Sequence, residues 1–182
     1  MYEVDRAMKA PFALRLASIE DATCVAAFAA KTFSDTYRGH AEPQEIADYV
    51  AEHLSASAVT ALVRDPAVTI IVGEVGSQLA GYAILKAEAP PSCVTGPNPI
   101  ELARLYLGEE FLGRGFGEKL LLEVHAQAKR LGAKTLWLGV YDRNVRAVRF
   151  YERFGFTKVG GREFMLTGSV YVDPIYCAPV RE

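Results

Sequence analysis

The sequence predicts an α/β fold, a central mixed sheet of about seven strands flanked by helices on both faces. Three observations lead there. Segments with period-two or continuous apolar patterning alternate with segments of helical period, in the order β-α-α-α-β-β-β-α-β-α-β-β. Glycines, prolines and N-capping residues fall between these segments rather than inside them. Hydrophobic residues make up 51% and charged residues 23% of the 182, enough apolar material to fill one sizeable core.

Residues 12–17 alternate apolar and basic side chains and read as a strand. Ser18 then N-caps a helix running to about Phe33, with Val25, Phe28, Ala29 and Phe33 near one face and Cys24 expected in the core. Arg38-Gly39-His40 breaks it. Pro43 opens a second helix through Ile46, Tyr49 and Val50 to His53-Leu54. A third covers residues 56–64 and stops at Asp65-Pro66, because the residue before a proline disfavours helix. The β-branched run Val68-Thr69-Ile70-Ile71-Val72 is a strand, turned by Gly76-Ser77 into a hairpin partner over residues 79–87. Residues 89–99 are a proline-rich loop. In the strand 100–107, simple alternation puts Leu102, Arg104 and Tyr106 on one face and Glu101, Ala103, Leu105 and Leu107 on the other.

A glycine-rich turn follows, then a helix with Leu120, Leu121, Val124, Ala128 and Leu131 on one stripe, His125 expected in solvent, and Gly132 as its stop. Residues 135–141 are apolar on both faces, as in a central strand. Asn144 caps a helix to about Phe154, ended by Gly155. Residues 156–159 and, after a turn at Gly168, 170–177 close the sheet. Residues 1–11 carry mixed charge and read as a loose arm, and the rest as a single domain over the whole of 1–182.

Composition narrows the function. A formal net charge of −2 leaves no basic footprint for nucleic acid. No apolar run approaches the roughly 18–20 residues a membrane span needs. Cys24, Cys93 and Cys177 are scattered and odd in number, which argues for a reducing compartment, and a cytoplasmic protein is expected. His40, His53 and His125 show no metal-ligand spacing, and no metal is expected.

The turn Leu112-Gly113-Arg114-Gly115-Phe116-Gly117 carries the first chemical signal. Glycines let the backbone approach a ligand, and a helix that starts there aims its free N–H groups and positive dipole end at an anion. Arg114 adds a cation. A dinucleotide fingerprint needs glycine at 118 or 120, where Glu118 and Leu120 stand, and no Gly-Lys-Ser/Thr is present for a nucleotide loop. The turn instead resembles the Q/R-x-x-G-x-G/A segment of the GCN5-related N-acetyltransferase (GNAT) superfamily, with Gly115 and Gly117 in register and Leu112 a departure from that segment's Gln/Arg pattern. The stretch from Asn144 through Ala147, Phe150 and Tyr151 to Gly155-Phe156 is similar to that family's N-x-x-A-x-x-[FL]-Y-x-x-x-G-F segment.

The resemblance implies a mostly antiparallel GNAT sheet and acetyl-CoA as co-substrate. It implies that Leu105, Tyr106 and Leu107 pair through their backbone with the pantetheine arm, that residues 112–117 hold the pyrophosphate, and that Asn144 lies along the arm. It implies Tyr151 as general acid toward the thiolate. Glu101 is the candidate base, acting through water, or else a rim carboxylate that attracts the substrate. Gly139 stands where ribosomal-protein acetyltransferases often carry a glutamate.

Lys31-Thr32-Phe33-Ser34-Asp35-Thr36-Tyr37, Ile100-Glu101-Leu102-Ala103-Arg104-Leu105-Tyr106-Leu107 and Leu136-Trp137-Leu138-Gly139-Val140 are similar to segments of bacterial PaiA-type spermine/spermidine acetyltransferases. This points to a small-molecule amine acceptor, with a polyamine in view. Asp35, Glu42, Glu45, Asp48 and Glu101 would receive a polycation if they converge, and Glu42, Glu45 and Asp48 are otherwise a solvated helix face. Other amines (an amino acid, an antibiotic, a protein N-terminus) and a non-catalytic acetyl-CoA-binding module are the alternatives, and a homodimer is left open.

Overall fold

The structure is a computed structural model that describes residues 11–141, 143–166 and 169–181. The arm up to residue 10 and the turn at Gly168 lie outside the described residues. The strands are β1 (Phe12–Leu16), β2 (Val68–Val75), β3 (Gln78–Lys86), β4 (Pro99–Leu107), β5 (Thr135–Gly139), β6 (Thr157–Leu166) and β7 (Ser169–Pro179). The helices are α1 (Ala22–Tyr37), α2 (Pro43–His53), α3 (Ala56–Arg64), α4 (Phe116–Arg130) and α5 (Val145–Arg153). They follow the predicted order. The strands form one seven-stranded sheet, β1-β2-β3-β4-β5-β7-β6. β4 and β5 are parallel neighbours, and the other pairs are antiparallel.

Each face of the sheet carries a core. On one side Leu120, Leu121, Val124 and Ala128 of α4, with Tyr151 of α5, pack on Ile71, Leu85, Leu136 and Leu138. On the other, Val25, Ala29 and Phe33 of α1 and Val59 of α3 pack on Ile70, Val72, Tyr82 and Ile84. The α4 stripe is one residue shorter than expected: Leu131 is 55% exposed, at the C-cap. Ser18 opens a 3₁₀ turn over Ile19–Asp21 before α1 begins, and α1 runs a full turn beyond Phe33. Cys24 is exposed rather than in the core, because it falls on the solvent side of α1.

β4 breaks the expected alternation. Ile84 pairs with Arg104 and Leu85 with Leu102, so Ala103 is an extra residue, a β-bulge. Parity inverts there. Leu102, Leu105 and Leu107 all join the α4–α5 core, whereas Ala103 and Tyr106 face the α1–α3 side. Glu101 therefore lies opposite Leu105 and Leu107, not beside them.

His125 corrects another expectation. It is 2% exposed, in the middle of α4. Its Nδ1 accepts from the Arg181 backbone N–H at 3.1 Å, and its Nε2 is buried without a partner among the described residues. Burial, helped by the Arg181 charge, brings its pKa down to about 4. The unfolded chain protonates this ring near pH ~6.5. Between those values the unfolded state binds more protons, so the contribution is complete above pH ~6.5 and is lost as pH falls toward 4, by about 3 kcal/mol. Urea unfolding at pH 7.5 and 4.5 should show a steeper loss in the native chain than in His125→Leu; equal losses would mean that the ring does not set this dependence.

Candidate active site

β4 and β5 run side by side only at their start. Pro99 pairs with Thr135, Ile100 with Leu136 and Glu101 with Trp137, and the ladder goes no further. β5 ends at Gly139, whereas β4 continues to Leu107. The β5-facing edge of residues 102–107 thus has no ladder partner among the described residues. A strand edge with open N–H and C=O groups is where an extended ligand can pair as an added strand. The gap widens into a cleft of about 1320 Å³.

At the far end of β4 a 3₁₀ turn, Glu109–Phe111, leads into the glycine turn. Gly113 and Gly115 have φ of 75° and 76°. A Cβ at either would meet nothing within 4 Å, so conformation rather than space demands glycine. Gly115 is the N-cap of α4 and supplies no side-chain acceptor. The first-turn amides and the positive end of the helix are left for another anion. Gly117 differs. A Cβ there would stand 3.4 Å from Leu107 and 3.6 Å from Phe150, so its smallness lets α4, β4 and α5 meet.

Leu105, Tyr106, Leu107, Leu112, Gly113, Gly115 and Gly117 all line the cleft, as do Asn144, Tyr151 and Glu101. Phe116 and Arg114 do not. Phe116 stacks on Phe12 with ring centroids 4.3 Å apart, and the Arg114 guanidinium lies 5.9 Å from the Phe111 ring centre. Sequence reasoning missed four of the cations that do line the cleft, Arg143, Arg146, Arg149 and Arg153. The three- and four-residue spacing of Arg146, Arg149 and Arg153 along α5 was the available signal.

Asn144 Oδ1 accepts from the Ala147 N–H at 3.1 Å, so it caps α5 while lining the cleft. Tyr151 is two turns on, its ring edge-on to Phe150 and Phe156 at 5.3 and 5.5 Å. Burial, with Tyr106 acting in the same direction, holds its phenol above the ordinary range. It keeps its proton at any pH at which the enzyme would work.

Glu101 is not at the rim: it is 5% exposed. Arg162 Nη1 donates to its Oε1 at 3.0 Å, and the Arg162 guanidinium sits 5.2 Å above the Trp137 ring. Burial raises the Glu101 pKa, and Arg162 opposes that shift. Asp35, Glu42, Glu45 and Asp48 do not converge on the cleft; Asp35 pairs with Lys31 and Arg38, and Asp48 accepts from Gln44. Glu88, Glu118 and Asp173 line the cleft with Glu101, as do the rings of Tyr37, Tyr49, Tyr106 and Tyr141. Asp173 did not stand out in the sequence, because only the β6–β7 register brings it opposite Arg162.

Residues 27–156 match the Acetyltransferase (GNAT) family, and the chain belongs to that family. An uncharacterized N-acetyltransferase of Mycobacterium tuberculosis is 35% identical over 147 residues, 80% of this chain and 89% of the relative. A spermidine N(1)-acetyltransferase of Thermoplasma acidophilum is 29% identical over 147 residues, 79% of this chain and 86% of that one. The crystal structure of the PaiA N-acetyltransferase of Thermoplasma acidophilum in complex with coenzyme A is similar at a TM-score of 0.74 and 25% identity, covering 93% of this chain and 99% of that chain. The sheet, with one parallel pair in an otherwise antiparallel order, is the GNAT fold. The protein is an acetyl-CoA-dependent N-acetyltransferase, with acetyl-CoA as co-substrate. Among the described residues no helix is long and apolar enough to cross a membrane.

Proposed function

We propose that the chain moves the acetyl group of acetyl-CoA to a primary amine of a small molecule by direct attack. The observation that carries this is the gap between β4 and β5, opening beside the glycine turn and lined by Tyr151. In this reading the pantetheine arm pairs with the backbone of Leu105, Tyr106 and Leu107. Its pyrophosphate rests on the amides of residues 112–117, and Asn144 flanks the arm. An amide near Leu107 polarises the thioester carbonyl. The neutral amine attacks that carbon, the C–S bond breaks, and the thiolate takes the Tyr151 proton. The nitrogen's surplus proton leaves through water toward Glu101, whose burial makes it a better acceptor than a free carboxylate.

The tyrosine rings lining the cleft suit an ammonium, and the name of the Thermoplasma spermidine acetyltransferase makes polyamines the first amines to assay. The test is thiol release from acetyl-CoA by the full chain with spermidine, spermine and simple primary amines. Release with an amine, and none without it, is expected. Tight acetyl-CoA binding by calorimetry with no release by any amine would leave a CoA-binding module instead.

A further inference from the structure

Arg104 has no part in the transfer reaction as drawn above. It lines the cleft, half-buried, on the α1–α3 side of the sheet, where the bulge at Ala103 turns it. Its hydrogen bond is to the Tyr49 hydroxyl at 3.4 Å, the long end of the range. No carboxylate among the described residues lies within salt-bridge distance of it. Some exposed arginines do hold carboxylates: Arg15 holds Asp21 and Glu74, Arg38 holds Asp35, and Arg130 holds Glu123. A guanidinium keeps its charge in proteins, and an enclosed charge calls for a counter-charge. The neighbouring Glu101 is bound by Arg162. The Tyr82 hydroxyl, across the β3–β4 ladder from Tyr106, is buried with no partner among the described residues.

We propose that the acceptor carries, besides its reacting amine, a carboxylate or phosphate that Arg104 receives. This rests on the acetyl-transfer reading of the same cleft. The amine end belongs near Glu101, and the anionic end meets Arg104, farther along β4 and beside Tyr49. The cofactor's own pyrophosphate does not fill that place. It belongs with the glycine turn and the α4 N-terminus, and α4 packs on the opposite face of the sheet. A second ammonium at Arg104 would meet like charge, so the arginine discriminates against a diamine as well as for an anion.

The experiment compares acceptors matched in chain and amine. Pentylamine, 1,5-diaminopentane, 5-aminopentanoate and 4-aminobutyl phosphate form one set; alaninamide and alanine form another. With the full chain and acetyl-CoA, the anionic member of at least one set should have the highest kcat/KM, and the carboxylate-to-phosphate ratio tells which anion is read. Arg104→Met should lower the ratio of anionic to neutral acceptor by about ten- to a hundredfold, the worth of a charge-assisted pair, with Arg104→Lys between the two. Calorimetry of the same compounds with CoA present separates the readings. Arg104-dependent binding of the anionic amines without thiol release would sustain this proposal and overturn acetyl transfer. A neutral or cationic member preferred throughout both sets, in rate and in binding, would overturn this proposal, with thiol release left as evidence for transfer.

Discussion

Gly115→Asp should weaken acetyl-CoA binding by more than about a hundredfold while the protein stays folded. Two effects act on one residue. The φ of 76° at Gly115 is a conformation that costs other L-residues about 1–2 kcal/mol. The new carboxylate would also stand at the N-cap of α4, in open space within reach of the amides proposed for the pyrophosphate. A resident anion there both takes up the positive helix end and repels the incoming one. Gly115→Ala carries the strain without the charge, a cost that the free and bound protein share, and should change Kd far less than Gly115→Asp does. Calorimetry on variants with native circular dichroism decides the matter: an unchanged Kd in Gly115→Asp places the pyrophosphate elsewhere.

Tyr151→Phe should lower kcat by about 10²-fold and leave the KM for acetyl-CoA within a few-fold. The substitution keeps the ring against Phe150 and Phe156, so packing is preserved and only the hydroxyl is lost. That hydroxyl matters when negative charge develops on sulfur, which is why the loss belongs to the chemical step rather than to binding. The raised phenol pKa has a further effect: the acidic form persists throughout the neutral and mildly alkaline range, so deprotonation of Tyr151 should not bend the native rate profile there. Stopped-flow measurement of a single turnover separates chemistry from product release. A Phe variant with native single-turnover rates would reduce Tyr151 to a packing residue.

The order of elements was legible because each one announces its own ends. Ser55 accepts from the Ala58 N–H at the start of α3, Asn144 from the Ala147 N–H at the start of α5, and Gly132 and Gly155 follow α4 and α5 with positive φ. These are local features, and periodicity reads local features well. The bulge at Ala103 is different. Its cause is the register between β3 and β4, and a single strand's alternation carries no trace of a residue inserted against its neighbour. That one unseen residue put Glu101 on the wrong face in the sequence reading. His125 and Cys24 failed for a related reason: a helix flanked on one side by a C-terminal segment, or a short apolar side chain on a solvent face, looks the same in sequence as its opposite. At the site, the turn and Asn144–Tyr151 were visible as motifs. Asp173 and Arg162 were not, since they meet Glu101's strand only through β7 and β6 at the other edge of the sheet.

The short β4–β5 ladder also has a mechanical meaning. Four strands lie on one side of it and three on the other, and three residue pairs join the two halves. Helices bridge part of the divide, but along residues 102–107 the backbone seam is open. An arm that paired there would act as a splint, completing the hydrogen bonding of the sheet's middle. Free energy of ligation and resistance of the seam to local opening would then be one quantity, rising with RT ln(1 + [L]/Kd). The cellular level of the thioester would set the stiffness of the fold as well as the saturation of the enzyme.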